Sequence, residues 1–190
     1  MRVPVNSAGR YFVMSDSMYR KKDFMILLNI FDVKETMSHL LLRESFDEYL
    51  LEEVSVTTVA ALKIQGRRNA AWYDEKEEAQ ALPDHLYWKE VKGFIFSYIK
   101  GKKTPTSFTV TLKLTAEEMA GIMPQADLAQ LLQKQSTQVM LQFRFEKGKL
   151  SVVTGTASSV FTMDKSVSIA WDNVVKDIFK GFHIGYEESV

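Results

Sequence analysis

Ser107-Phe108-Thr109-Val110-Thr111-Leu112-Lys113-Leu114 alternates polar and apolar residues without a break. A period of two is the mark of a half-buried strand in an antiparallel sheet, apolar face to the core and polar face to water. The same pattern returns downstream. Val139, Leu141, Phe143 and Phe145 alternate with Met140, Gln142, Arg144 and Glu146. Lys147-Gly148 then turns the chain, and residues 149–154 run back as the second strand of a hairpin. Three strands of this kind set the fold class, and the other elements are read against them.

Upstream, Met25-Ile26-Leu27-Leu28-Asn29-Ile30 is a short apolar run with the length of a buried strand. Asp32 with Glu35 forms a capping-box-like start for a helix over 33–42, whose stripe is Val33, Met37, Leu40 and Leu41. Residues 46–58 are strand-like, with Leu50, Val54, Val56 and Thr58 in one parity that Glu52 interrupts. Residues 60–67 follow as another strand, Leu62 and Ile64 facing one way. Residues 69–83 are polar and irregular. Asp84 caps a helix over 85–100 with Trp88, Val91, Ile95, Tyr98 and Ile99 inward and Gly101 at its end. Thr115 and Glu118 start a short helix that stops at Pro124; Leu128, Leu131 and Leu132 mark another, and Ser158–Thr162 a further strand. A last helix over 166–181 carries Val167, Trp171, Val174, Val175, Ile178 and Phe182. Strands broken by a few helices, without a regular βαβα alternation, predict an α+β fold: an antiparallel sheet with helices packed on it. Helix followed by antiparallel strands occurs twice, which suggests two half-repeats in topology.

The domain is expected over residues 25–182, with 183–190 as a tail. Residues 1–22 hold Arg2, Arg10, Arg20, Lys21 and Lys22 against Asp16 alone. Their apolar stretch is too short for a secretory signal, and no run in the chain reaches the roughly 18 apolar residues of a membrane span. A cytoplasmic protein is expected. Arg20-Lys21-Lys22-Asp23 can be encoded by a purine-rich tract resembling a ribosome-binding site just ahead of Met25. Residues 1–24 therefore read as translated leader, the alternative being a basic tail for an acidic partner.

With 24 basic and 24 acidic residues the chain is formally neutral, and it has no cysteine. Disulfides, thiolate metal sites and cysteine nucleophiles are thereby excluded. His39, His85 and His183 are far apart and show no metal-ligand spacing, so no metal and no cofactor is expected. No Gly-x-Ser-x-Gly elbow is present. Gly101-Lys102-Lys103-Thr104 lacks the first glycine of a phosphate loop and follows a helix instead of a strand. Acidic runs lie at Glu44, Asp47, Glu48, Glu52, Glu53 and at Asp74, Glu75, Glu77, Glu78. They read as solvated faces; carboxylate-based hydrolysis would need acids from distant segments to converge.

The strongest asymmetry is basic. Lys89, Lys92, Lys100, Lys102, Lys103 and Lys113 fall within 89–113 against Glu90 alone. At about 100° per residue, Lys89, Lys92 and Lys100 share an arc of about 80° opposite the apolar stripe. Such a face can track phosphates, with Arg67 and Arg68 as candidate extensions. The plainer reading is a solubilising outer face.

Leu28-Asn29-Ile30 with Asp32-Val33-Lys34, Ile64-Gln65-Gly66-Arg67, Ile99-Lys100-Gly101-Lys102-Lys103-Thr104-Pro105, and Phe161-Thr162-Met163-Asp164-Lys165-Ser166 with Trp171-Asp172 resemble an uncharacterised family of small bacterial cytosolic proteins. The resemblance spans about residues 25–180, supports Met25 as the start and implies no catalytic residues. In topology alone, helix-then-strands with a lysine-lined helix is similar to half a DNA sliding clamp. The expected function is a non-catalytic binding or interaction protein with an unknown macromolecular partner. The alternatives are a clamp-like nucleic-acid-associated protein and, less favoured, the carboxylate hydrolase.

Overall fold

The structure is a computed structural model that describes residues 24–73, 82–122, 127–159 and 163–189. Among them are seven strands and five α-helices. The strands are β1 (Phe24–Ile30), β2 (Leu50–Thr57), β3 (Ala61–Gln65), β4 (Ser107–Leu114), β5 (Thr137–Glu146), β6 (Lys149–Ser158) and β7 (Tyr186–Ser189). The helices are α1 (Val33–Leu41), α2 (Trp88–Ile99), α3 (Ala116–Ile122), α4 (Leu128–Gln135) and α5 (Ser166–Gly181). All strands join one sheet in the order β3-β2-β4-β5-β6-β1-β7, and every pairing is antiparallel. The fold is α+β. The strands of both helix-then-strands units merge in this sheet, β4 lying between β2 and β5.

The alternating stretch at 107–114 does what its pattern predicts. Phe108, Val110, Leu112 and Leu114 are buried, opposite Phe145, Phe143, Leu141 and Val139 of β5. Buried side chains of every helix share one hydrophobic cluster with this face of the sheet, among them Leu40, Trp88, Met119, Leu132 and Trp171. The helices therefore all cover the same face. Two indoles tie them down: Trp88 Nε1–H donates to the Leu40 carbonyl at 2.6 Å and Trp171 Nε1–H to the Met140 carbonyl at 2.9 Å.

Three expectations change. The stretch expected as a tail over 183–190 is not one in its described part, because Tyr186–Ser189 pair with β1 from Leu27↔Ser189 to Ile30↔Tyr186 and shield its edge. Glu188 holds Lys176 of α5 at 2.8 Å. The helix predicted over 85–100 begins at Trp88, since residues 85 and 87 make bridges to Arg67 and Leu50. The single parity expected for β2 is broken by a bulge between Leu51 and Glu53. Leu51 thus joins Val54 and Val56 in the core, while Leu50 turns with Lys113 to the other face.

At this bulge the chain is tightly threaded. Gly66 N–H donates to the Glu52 carbonyl at 3.0 Å, Leu86 N–H to the Gly66 carbonyl at 2.8 Å, and Leu51 N–H to the Leu86 carbonyl at 2.8 Å. Segment 84–87 consequently lies beside that end of the sheet, and Lys113, expected on the water side, is buried there. The leader expectation covers residues 1–24, of which only Phe24, the first residue of β1, is described; the second acidic run and Pro124 lie outside the described residues. The strand expected at Ser158–Thr162 is met only by Ser158, the last residue of β6, and residues 160–162 are likewise outside.

Candidate functional site

The eight basic residues singled out from sequence do not form one face. Lys89 Nζ donates to Glu48 at 2.8 Å and sits 5.0 Å from the centre of the Tyr87 ring. Lys92 pairs with the Asp47 carboxylate and donates to the Arg43 carbonyl at 2.9 Å. Arg68 is half-buried and donates to Glu90 at 2.5 Å, the Tyr73 hydroxyl at 2.9 Å and the Pro83 carbonyl at 3.0 Å. The first acidic run is the counterpart of these cations: Asp47 and Glu48 take α2, Glu53 takes Lys63 and Glu52 takes Lys113. It is thus not a simple solvated face; segment 43–49 folds beside the start of α2, as the Tyr49 carbonyl accepting from Trp88 N–H shows. Arg67 is exposed but follows the far end of β3, where Gln65 pairs with Glu53. Six residue steps of β2, from Leu51 to Thr57 and about 20 Å of extended chain, separate it from the loop that carries Lys102 and Lys103.

Lys100, Lys102 and Lys103 have a different setting. They follow α2, whose Tyr98 hydroxyl donates to the Ala60 carbonyl in the β2–β3 turn at 3.2 Å. The register continues across the sheet as Thr57↔Ser107, Ser107↔Glu146 and Glu146↔Lys149. The loop entering β4 therefore adjoins the β5–β6 turn, and Lys147 and Lys149 share one end of the sheet with the three loop lysines. No ion pair found among the described residues involves any of these five. Arg144 is paired with Glu146 at 3.3 Å. Around that pair Ser107, Thr109, Gln142 and Phe145 line a shallow hollow of about 320 Å³. The extension that sequence sought at Arg67 and Arg68 is supplied by Lys147 and Lys149. The signal available was that Lys147-Gly148 is a hairpin turn; what was missing was that β4 pairs with β5.

The opposite end is acidic. Glu48, Glu117, Glu118, Tyr87, Leu82 and Ile122 line a cavity of about 730 Å³. Acids from distant segments do meet here, but Glu48 holds Lys89 and Glu118 caps α3 by accepting from the Thr115 N–H at 3.1 Å. Nearby, the buried Lys113 ammonium donates to Glu52 at 2.9 Å and to His85 Nε2 at 3.0 Å. An ammonium has no lone pair, so His85 accepts and is neutral in this arrangement. Burial, then the Lys113 charge, lowers its pKa below the ordinary value, against Glu52 and Asp84, which raise it. The folded chain accordingly binds this proton less readily than the unfolded chain. Its contribution to stability is complete above the ordinary histidine value near 6.5 and is lost as pH falls below that value and through the lowered one of the folded chain. His39, also lowered by burial and then by Arg43, adds to the same trend. Thermal melts between pH 7.5 and 5 should show falling stability, and His85→Gln should flatten part of that slope. An unchanged slope would refute this assignment.

A serine–histidine pair that sequence did not indicate lies at the end of α1. Ser45 Oγ is 2.7 Å from His39 Nδ1, and Glu35 lies 3.5 Å from His39 Nε2. The constellation resembles a catalytic triad, yet Arg43 Nη1 stands 2.6 Å from the same Nε2. A guanidinium only donates, so Nε2 keeps its lone pair and Nδ1 carries the proton. His39 then donates to Ser45 and cannot take the hydroxyl proton as a general base does. The ring is stacked on Phe182, centroids 4.1 Å apart, which gives it a packing role between α1 and the end of α5.

Among the described residues no group of three or more His, Asp and Glu could hold a metal ion, and no helix is long and apolar enough to cross a membrane. Comparison with known proteins gives one match. A model described as a family of unknown function, DUF5721, matches residues 39–187, from the last turns of α1 into β7. No curated protein matches, and no solved structure does, sliding clamps included. With more than two-thirds of its length inside that match, the chain belongs to the DUF5721 family of unknown function.

Proposed function

We propose that the chain is a non-catalytic nucleic-acid-binding protein of the bacterial cytoplasm, which holds phosphates at the lysine end of its sheet. One observation carries the reading. Lys100, Lys102, Lys103, Lys147 and Lys149 meet at one end of the sheet without ion-pair partners among the described residues, whereas Lys89, Lys92 and Arg68 are occupied. Lysines already paired with carboxylates release no counterions from a polyanion; unpaired ones do. The hollow beside them adds hydroxyl and amide groups suited to phosphate or sugar.

The test is fluorescence polarisation with labelled oligonucleotides over a range of salt. Affinity should fall steeply with salt, with a log–log slope near −0.7 per phosphate contact for a single strand and near −0.9 for a duplex. Glu at 102, 103 and 147 together (K102E/K103E/K147E) should abolish binding at about 0.1 M salt. Lys89→Gln should leave affinity unchanged. Absence of binding at low salt, or equal loss in both variants, would overturn the proposal.

A further inference from the structure

We infer that the ligand of this end is single-stranded nucleic acid, with Phe31 as the platform for one base; the inference rests on the nucleic-acid reading above. Phe31 is 69% exposed, unlike most aromatic residues among the described ones. It directly follows β1, and the pair Ile30↔Leu150 sets it opposite Lys149. Its place is fixed, because Phe31 N–H donates to the Gly185 carbonyl at 3.0 Å and its ring lies against Gly185, where a Cβ would come within 3.4 Å of Cδ2.

From Phe31 the sheet order runs through Lys149 on β6, Arg144 and Glu146 on β5, and Ser107 on β4 to the loop lysines. Three strand spacings, about 14 Å, carry this line across the sheet. An aromatic ring at one end of a basic line is how proteins hold unpaired bases: the backbone follows the charges and a base stacks on the ring. A duplex hides its base faces and could use only the charges. The one carboxylate on the line is Glu146, which holds Arg144 at 3.3 Å. A bound strand must share or displace that contact, so Glu146 restrains affinity.

The experiment compares a labelled 12-mer of deoxythymidine with a 12-base-pair duplex and with vesicles of anionic lipid. The single strand should bind more tightly than the duplex. Phe31→Ala should weaken the single strand roughly tenfold and leave the duplex unchanged, and Phe31→Trp should restore it. Glu146→Gln should tighten binding of the strand, a gain that a misfolded variant cannot mimic. If the duplex binds as well as the strand and Phe31→Ala changes nothing, this inference fails while the nucleic-acid reading stands. If neither nucleic acid binds at low salt, or only the vesicles do, both fail. Because Phe31 is exposed, Phe31→Ala should keep the circular dichroism spectrum of the parent.

Discussion

Gly66→Ala should destabilise the protein by about 3 kcal/mol or more, the scale of a severe overpacking defect. A Cβ at this position would stand 1.7 Å from the Leu51 carbonyl oxygen and 2.5 Å from its carbon. Both are backbone atoms of β2, so no side-chain rotation relieves the clash. Moving the backbone would disturb the hydrogen bonds through which Gly66 holds the Glu52 carbonyl and the Leu86 N–H. Those bonds seat segment 84–87 and, through His85, cover Lys113. Urea denaturation is the measurement. A midpoint that moves strongly with an unchanged slope is expected. A stable Gly66→Ala would mean that β2 and the 66–68 segment are not threaded this closely.

Trp88→Ala should cost about 3–5 kcal/mol, the usual range for emptying a buried aromatic site. The indole is fully buried and reaches across to α1, where it satisfies the Leu40 carbonyl. Trp88→Phe separates the two contributions. It refills most of the volume and leaves that carbonyl without its donor, for a loss of about 1–3 kcal/mol. Intrinsic fluorescence gives an independent check. Trp88 and Trp171 are fully buried whereas Trp72 is 82% exposed, so an aqueous quencher should reach mainly one of the three. A Trp88→Phe variant as stable as the parent would show that the indole hydrogen bond contributes little.

The strands were readable where one face meets the core and the other meets water. That holds for 107–110 and for 141–144, whose alternation survives in the burial of Phe108, Val110, Leu141 and Phe143. It fails at Lys113, because period-two reasoning assigns a face and cannot say whether another segment covers it. Glu52 carried a real signal: a charged residue out of phase in a strand marks a bulge, and the bulge brings Leu51, in place of Leu50, into phase with Val54 and Val56. The strand at 186–189 was missed because four residues, two of them Glu, show no hydrophobic period. Its partner β1 lies more than 150 residues upstream.

The lysine site follows the same division. Composition located the basic stretch at 89–113, and helical spacing grouped Lys89, Lys92 and Lys100. Spacing along the chain says nothing of what stands opposite. Asp47 and Glu48 come to rest against the start of α2 and neutralise its lysines, while the loop beyond α2 is left uncompensated.

What the sequence determined by itself is local: the alternating strands, the capped helices, the hairpin at Lys147-Gly148, and hence an α+β class. Those features depend on neighbours a few residues apart, whose geometry is set by backbone sterics and hydrogen bonding. Tertiary structure alone decided which charges meet. Opposite charges find one another through the order in which strands pair, and that order joins residues far apart in the chain. It turned a lysine-lined helix into a set of ion pairs and left Lys102, Lys103, Lys147 and Lys149 together at the open end of the sheet.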